Sequence, residues 1–196
     1  MRKSAIALTL LITIPAAAHP SETLLKELSG AESLKIEFRQ KTKLPVAGDE
    51  VTLYRGVIYY KRPLKFLWEY TRGSNLRIIS NGKEVETRFG DGQCQVEPLN
   101  PENALFPLLL LAENYKTFKK YYTVKEEKEG KNLQTFTVEP KFKDPFFTKI
   151  TFTFFKGKLK EVKTVQADGT ESTYLIDSVK KNLKLPDSLF KLPPCR

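Results

Sequence analysis

The sequence is poor in the residues that build metal and redox centres: of 196 residues, one is histidine, His19, and two are cysteines. One histidine excludes a multi-histidine metal centre, and two cysteines exclude a four-cysteine zinc site and a disulfide-dense small scaffold. Neither GxxxxGK nor GxGxxG occurs, so the chain has no glycine-rich phosphate loop. No Ser-His-Asp or Cys-His arrangement can be built around His19. We therefore expect no enzymatic activity, no metal and no cofactor.

The composition is that of a globular protein. Apolar residues make up 40% of the chain and charged residues 29%, enough apolar surface for one sizeable core. The net charge is +10, but the Lys and Arg residues are interleaved with Glu, as on an ordinary solvated surface. We expect a monomer with no nucleic-acid partner.

The first residues have the features of a secretory signal peptide. The cationic start Met1–Lys3 precedes a short apolar run, and residues 16–18 supply a small-residue cleavage pattern. The run is too short to span a bilayer; the alternative is an uncleaved amphipathic helix. We predict a signal peptide over residues 1–18, a cut after Ala18 and a single domain over residues 19–196. The next residue is His19 and not the Cys that a bacterial lipoprotein carries.

The rest of the chain has mostly strand periodicity. Leu24 and Leu28 fall on one face of a short helix, and residues 104–112 favour a second helix. Between and after them, alternating apolar and polar residues and Gly-containing turns predict strands. These strands cover residues 34–38, 51–62, 66–71, 76–80, 84–89, 121–125, 133–139, 149–156, 158–166 and 172–179. One curved antiparallel sheet, with helices over a concave apolar interior, fits this pattern best.

Four segments resemble one protein family. Residues 56–70 (GVIYYKRPLKFLWEY) contain a G-x-x-x-x-x-R-P-x-x-F-x-W block, and residues 80–83 (SNGK) follow as a turn. Residues 38–40 (FRQ) match a Phe-x-Gln in the first strand, and residues 107–112 (PLLLLA) match a central helix. In these segments the chain resembles the outer-membrane lipoprotein carrier protein (LolA) family.

The resemblance implies a mainly β (α+β) fold: an unclosed antiparallel half-barrel of about 11 strands with a helical lid over a hydrophobic cavity. It also implies a periplasmic chaperone that binds the acyl chains of lipid-modified proteins. Such a chaperone receives its cargo from an inner-membrane lipoprotein-releasing ABC transporter and delivers it to an outer-membrane receptor lipoprotein. The sequence departs from the family pattern in its two cysteines and its strongly basic charge.

Two other functions stay open at this stage. One is a periplasmic lipid-sensing regulatory domain of similar fold; relatives of that kind bind an anti-sigma factor and usually add a second domain. The other is an exported β-domain without a ligand. The receptor lipoprotein of the same family fold would need a Cys at position 19, where this chain has His19.

The resemblance assigns roles to individual residues. By itself, Arg62 is an exposed cation at a strand end; in the family, the matching Arg latches the lid when no cargo is bound. Its five donors form a rigid fork that suits helix-end carbonyls. The predicted cavity and lid residues are Leu24, Leu28, Phe66, Trp68, Leu108 and Leu111, for which ordinary core packing is the alternative.

The two cysteines, Cys94 and Cys195, can either form a disulfide or remain free thiols. In an oxidising compartment, two cysteines most simply pair. We predict a disulfide between Cys94 and Cys195 that ties the tail to the sheet edge; the alternative is two free thiols.

Overall fold

A computed structural model describes residues 20–47, 50–100, 107–143 and 145–195. The predicted signal peptide, its cut after Ala18 and the first residues of the predicted helix over 104–112 lie outside these ranges. Among the described residues, no helix is long and apolar enough to cross a membrane, and no cluster of metal-ligating side chains occurs.

The molecule is built on one unclosed antiparallel sheet of eleven strands, as predicted. The strands are β1 (Ser33–Lys43), β2 (Val51–Lys61), β3 (Lys65–Arg72), β4 (Arg77–Asn81), β5 (Glu84–Arg88), β6 (Cys94–Pro98), β7 (Tyr122–Glu129), β8 (Leu133–Pro140), β9 (Phe147–Phe155), β10 (Lys158–Gln166) and β11 (Glu171–Lys181). Their spatial order is β6-β5-β4-β3-β2-β1-β11-β10-β9-β8-β7. Two meanders therefore meet at the centre, where β1 pairs with both β2 and β11.

Residue alternation separates a concave from a convex face. On β1, Leu34, Ile36 and Phe38 are buried on the concave face, whereas Arg39 and Lys41 are exposed on the other. The period of two along a strand sends successive side chains to opposite faces. The main core fills the concave side.

Three short helices cover this concave side: α1 (Pro20–Ser29), α2 (Pro107–Glu113) and α3 (Tyr115–Tyr121). Sequence patterns predict α1 and α2 but not α3: no element is predicted over residues 113–120, and the strand predicted over residues 121–125 begins only at Tyr122. The missed signal is Asn114, whose side chain accepts hydrogen bonds from the backbone N–H groups of Lys116 and Thr117 as an N-cap. The short strand β6 at the sheet edge was also missed.

The C-terminal segment crosses the convex face of β2 to β6. Phe190, in a 3₁₀ turn over Asp187–Phe190, is buried against Leu67 and Ile79, which point away from the concave core. Asp187 pairs with the amines of Lys61 at 3.0 Å and Lys65 at 3.1 Å. The segment ends in the predicted disulfide: Cys195 is joined to Cys94 on β6 across 101 residues of sequence.

Candidate functional site: the concave face and its helical lid

Arg62 connects the two lid helices at their C-terminal ends. It follows β2, and its Nη2 donates hydrogen bonds to the carbonyl oxygen of Ser29, the last residue of α1, and at 3.2 Å to that of Ala112 in α2. The last carbonyls of a helix have no partner within the helix and carry its negative dipole end, so a guanidinium satisfies both. The sequence-level idea that this side chain captures helix-end carbonyls agrees with these contacts.

The arginine is held loosely on its other side. Nη1 lies 3.4 Å from a carboxylate oxygen of Glu32, a side chain that is 78% exposed. Within the described chain, the buried Nε has no hydrogen-bond partner. Two carbonyls, the neighbouring Tyr60 hydroxyl and one surface ion pair therefore surround the Arg62 side chain. Since the Glu32 carboxylate is exposed, the ion pair itself contributes little.

A second polar contact joins the sheet to α2. The Glu113 carboxylate accepts a 2.5 Å hydrogen bond from the Tyr60 hydroxyl and a 3.0 Å bond from the backbone N–H of Leu64. Burial raises the pKa of Tyr60, and the Glu113 carboxylate raises it further. The phenol therefore stays protonated and remains a hydrogen-bond donor.

Apolar contacts beneath the lid are extensive. In α2, Leu108, Leu109, Leu110 and Leu111 are all buried, with Leu108 and Leu111 fully so. Every face of α2 is buried because α1 and α3 flank it and the sheet lies below. From α1, Leu28 joins the same core cluster and the half-buried Leu24 packs against it.

The floor under α2 is aromatic. Phe38 makes edge-to-face contacts with Trp68, at a centroid distance of 5.2 Å, and with Tyr174 at 5.7 Å. The Phe38 ring lies over Gly56, where a Cβ would also come within 2.8 Å of the Glu69 carbonyl oxygen. This close approach explains why residue 56, the first position of the G-x-x-x-x-x-R-P-x-x-F-x-W block, is a glycine.

Two cavities border the lid. One of about 530 Å³ opens beside α1, where Leu24 and Leu28 face Phe154 and Ile176 of the sheet. The other, of about 350 Å³, lies over the aromatic floor and is lined in part by Leu109 of α2, with the amide of Gln40 among its polar groups. Both are partly apolar spaces bounded on one side by short helices.

The structure brings the predicted site residues into one region. Phe66 and Trp68 lie on the concave floor and belong to the core cluster that contains Leu28, Leu108 and Leu111. Their contacts fit both ordinary packing and a cavity, so their role in cargo binding stays a prediction.

Tyr60 and Glu113 are not among the site residues predicted from the sequence. Tyr60 does lie near the end of β2, two residues before Arg62, but its partner Glu113 is far away in the sequence. No local pattern identifies that partner.

Comparison with known proteins decides the family. The model of the outer membrane lipoprotein carrier protein LolA family matches residues 29–193, most of the chain. The chain belongs to the LolA family. An outer-membrane lipoprotein carrier protein of Pseudomonas putida is 27% identical over 92% of this chain and 86% of its own length. A carrier protein of the same name from Chromohalobacter salexigens is 28% identical over 93% of this chain and 87% of its own length.

Solved structures agree on the fold of this LolA-family chain. A LolA superfamily protein of Nitrosomonas europaea aligns with a TM-score of 0.50 at 12% identity, over 89% of this chain and 99% of its own. An uncharacterized conserved protein of Thermus thermophilus aligns with a TM-score of 0.52 at 9% identity, over 90% of this chain and 95% of its own. At such identities the likeness concerns the fold alone.

Proposed function

We propose that this protein is a periplasmic chaperone that binds the acyl chains of lipid-modified proteins under its helical lid. The observation that carries the proposal is the Arg62 contact to the ends of both α1 and α2, above an apolar concave face. Its relatives are named outer-membrane lipoprotein carrier proteins.

The energetics of acyl chains explain why such a carrier needs a lid. Each buried CH₂ contributes about 0.8 kcal/mol, so three chains of ~15 carbons would contribute roughly 36 kcal/mol if fully buried. Non-covalent affinities reach only about 20 kcal/mol. A carrier that must release its cargo therefore buries only part of the chains, or offsets part of the gain.

The lid supplies that offset. In the closed state α2 occupies the concave side, and its leucines are already buried. Cargo can enter only by replacing their contacts with acyl contacts, so only the difference between the two stabilises the complex. Breaking the Arg62 and Glu113 contacts costs additional free energy, which reduces the net stabilisation of the complex further. Short helices such as α1 and α2 are weakly stable alone, which makes them suited to local opening.

The proposed transport step has two partners. An inner-membrane lipoprotein-releasing ABC transporter loads the carrier, and an outer-membrane receptor lipoprotein accepts the cargo. The predicted signal peptide over residues 1–18, cut after Ala18, would deliver the domain over residues 19–196 to the periplasm. The carrier itself needs no cofactor and performs no catalysis in this scheme.

Release of lipoproteins from spheroplasts tests the proposal. Purified protein added to the medium should release newly made lipoproteins in a soluble complex, and buffer alone should not. The matched pair Leu111→Glu and Leu133→Glu controls for added charge, because Leu111 is fully buried under the lid and Leu133 is 50% exposed on β8. Failure of the wild-type protein to release any lipoprotein would refute the carrier function.

A further inference from the structure

Three arginines lie side by side on the convex face, away from the lid. In the strand register, Arg39 of β1 is opposite Arg55 of β2, and Arg55 is opposite Arg72 of β3. Directly opposed residues on one face of an antiparallel sheet are within side-chain reach, and like charges there are destabilising. A row of three guanidinium groups therefore lowers the stability of the sheet.

A local irregularity places the third arginine in the row. The β2–β3 pairing shifts by one residue between Arg55 and Gly56, so that Tyr70 is opposite Gly56 while Arg72 is opposite Arg55. Such a bulge re-aims the side chains that follow it. The three arginines line one groove of about 390 Å³ on the convex face, together with Lys41 and Leu53.

Among the described residues, one arginine of the row has a counter-charge. Arg39 pairs with Asp177 at 2.8 Å. In the part of the chain that the structure describes, Arg55 and Arg72 have no carboxylate within ion-pair distance. The groove thus presents two uncompensated guanidinium forks, a geometry that matches phosphate oxygens.

Exposed apolar side chains lie in this cationic groove, at Leu53, and farther along the β1–β2 hairpin. Leu53 is 61% exposed and Val51 is 45% exposed, both on β2 beside Arg55. Beyond the end of β1, Leu44 and Val46 are 44% and 95% exposed. Apolar side chains surrounded by basic ones suit the interface of an anionic bilayer, which accepts apolar groups among its acyl chains and basic groups at its phosphates.

We propose that the convex end of the β1–β2 hairpin docks on anionic phospholipid surfaces, with Arg55 and Arg72 binding lipid phosphates and Leu53 contacting the acyl region. This surface lies on the opposite face of the sheet from the lid. It would hold the carrier near a membrane without occupying the cargo site. An acidic protein surface offers carboxylates but no acyl layer for Leu53, so it fits the patch less well.

Vesicle cosedimentation tests the proposal. The purified protein should bind vesicles of phosphatidylglycerol mixed with phosphatidylcholine, and its binding should decrease as the salt concentration rises. It should not bind vesicles of pure phosphatidylcholine. The double variant Arg55→Gln/Arg72→Gln should bind roughly twenty-five-fold more weakly, about fivefold for each arginine. Leu53→Gln should also weaken binding to the anionic vesicles.

A charge-matched control separates the site from net charge. Lys149→Gln/Lys163→Gln removes two exposed cations from the other half of the convex face and should retain most of the affinity. An equal loss in both double variants would overturn the proposal, as would affinity for an acidic peptide without affinity for vesicles. Binding of an acylated peptide should stay unchanged in Arg55→Gln/Arg72→Gln, which keeps this test separate from that of the carrier function.

Discussion

The Tyr60 hydroxyl, at the end of β2, donates a 2.5 Å hydrogen bond to the carboxylate of Glu113, the last residue of α2. This bond joins the floor of the cavity to the lid. Two residues further along the chain, Arg62 joins α2 to α1. The closed lid is therefore held by polar contacts at one end, while leucines fill the space beneath it.

Tyr60→Phe should weaken the lid without changing the sheet. The substitution removes one hydrogen bond to a carboxylate, an interaction that contributes about 1.5–3 kcal/mol when one partner is charged. We expect faster amide exchange in α2 and unchanged exchange in β1 and β2. Tyr59→Phe is the matched control because Tyr59 is on the same strand and points to the convex face. Equal exchange rates in α2 for both variants would show that the Tyr60 bond does not hold the lid.

Arg62→Leu should leave the fold intact and release the helices from each other. The closed state competes with cargo, so weakening it favours the loaded state. We expect tighter retention of an acylated peptide and slower handover to a receptor lipoprotein, measured as transfer over time. Arg77→Leu, on β4 with a single 3.6 Å ion pair to Glu69, is the control. Normal handover by Arg62→Leu would exclude the latch role.

Leu111→Glu should block cargo uptake or open the lid. Leu111 is fully buried in α2, and an unpaired carboxylate at such a position costs several kcal/mol. Far-ultraviolet circular dichroism should still show the folded sheet, while binding of an acylated peptide is lost. Leu133→Glu should bind normally. Wild-type binding by Leu111→Glu would mean that α2 does not border the cargo site.

Removal of the disulfide should release the C-terminal segment from the convex face. The bond between Cys94 and Cys195 closes a loop of 101 residues, which contributes up to about 4–5 kcal/mol in the chain-entropy model. Cys94→Ser/Cys195→Ser should lower the urea midpoint and expose the segment after β11 to protease. Intact mass of the wild-type protein should be lower by two hydrogen atoms than that of its reduced form. Two alkylatable thiols in freshly exported protein would contradict the bond.

Buried phenols should make the fold sensitive to alkali. Burial raises the pKa of Tyr70 to about 12 and that of Tyr122 to about 12, and it also raises the pKa of Tyr60 and of Tyr174. In the unfolded chain a phenol loses its proton near pH 10. The native state therefore binds more protons above pH 10, so the contribution of these phenols to stability is constant below that pH and falls as pH rises through it.

An ultraviolet titration of tyrosinate checks this expectation. Tyr60, Tyr70, Tyr122 and Tyr174, the four phenols with a raised pKa, should ionise only as circular dichroism reports unfolding. Reversible ionisation of all eight tyrosines near pH 10, with the sheet still folded, would contradict it.

Local patterns predicted much of the fold because strand periodicity and Gly turns are local properties. The alternation at Leu34–Phe38 and the turn after Asn81 identify β1 and the β4–β5 hairpin directly. The helix α3 and the edge strand β6 are not predicted because each is short and its residues show no clear helical or strand periodicity. Asn114 is the one local mark of α3, and it is recognisable only once a helix is expected there.

Local sequence patterns are sufficient to predict two meandering blocks of strands, an apolar concave face, and Arg62 as a residue of a recognisable block. Periodicity and motif spacing encode those features within a few neighbouring residues. The folded structure was needed to show that Arg62 donates to Ser29 and Ala112, that Glu113 accepts from Tyr60, and that Arg39, Arg55 and Arg72 form one row. Each of these contacts joins residues distant in sequence, and strand register together with one bulge determines which side chains meet.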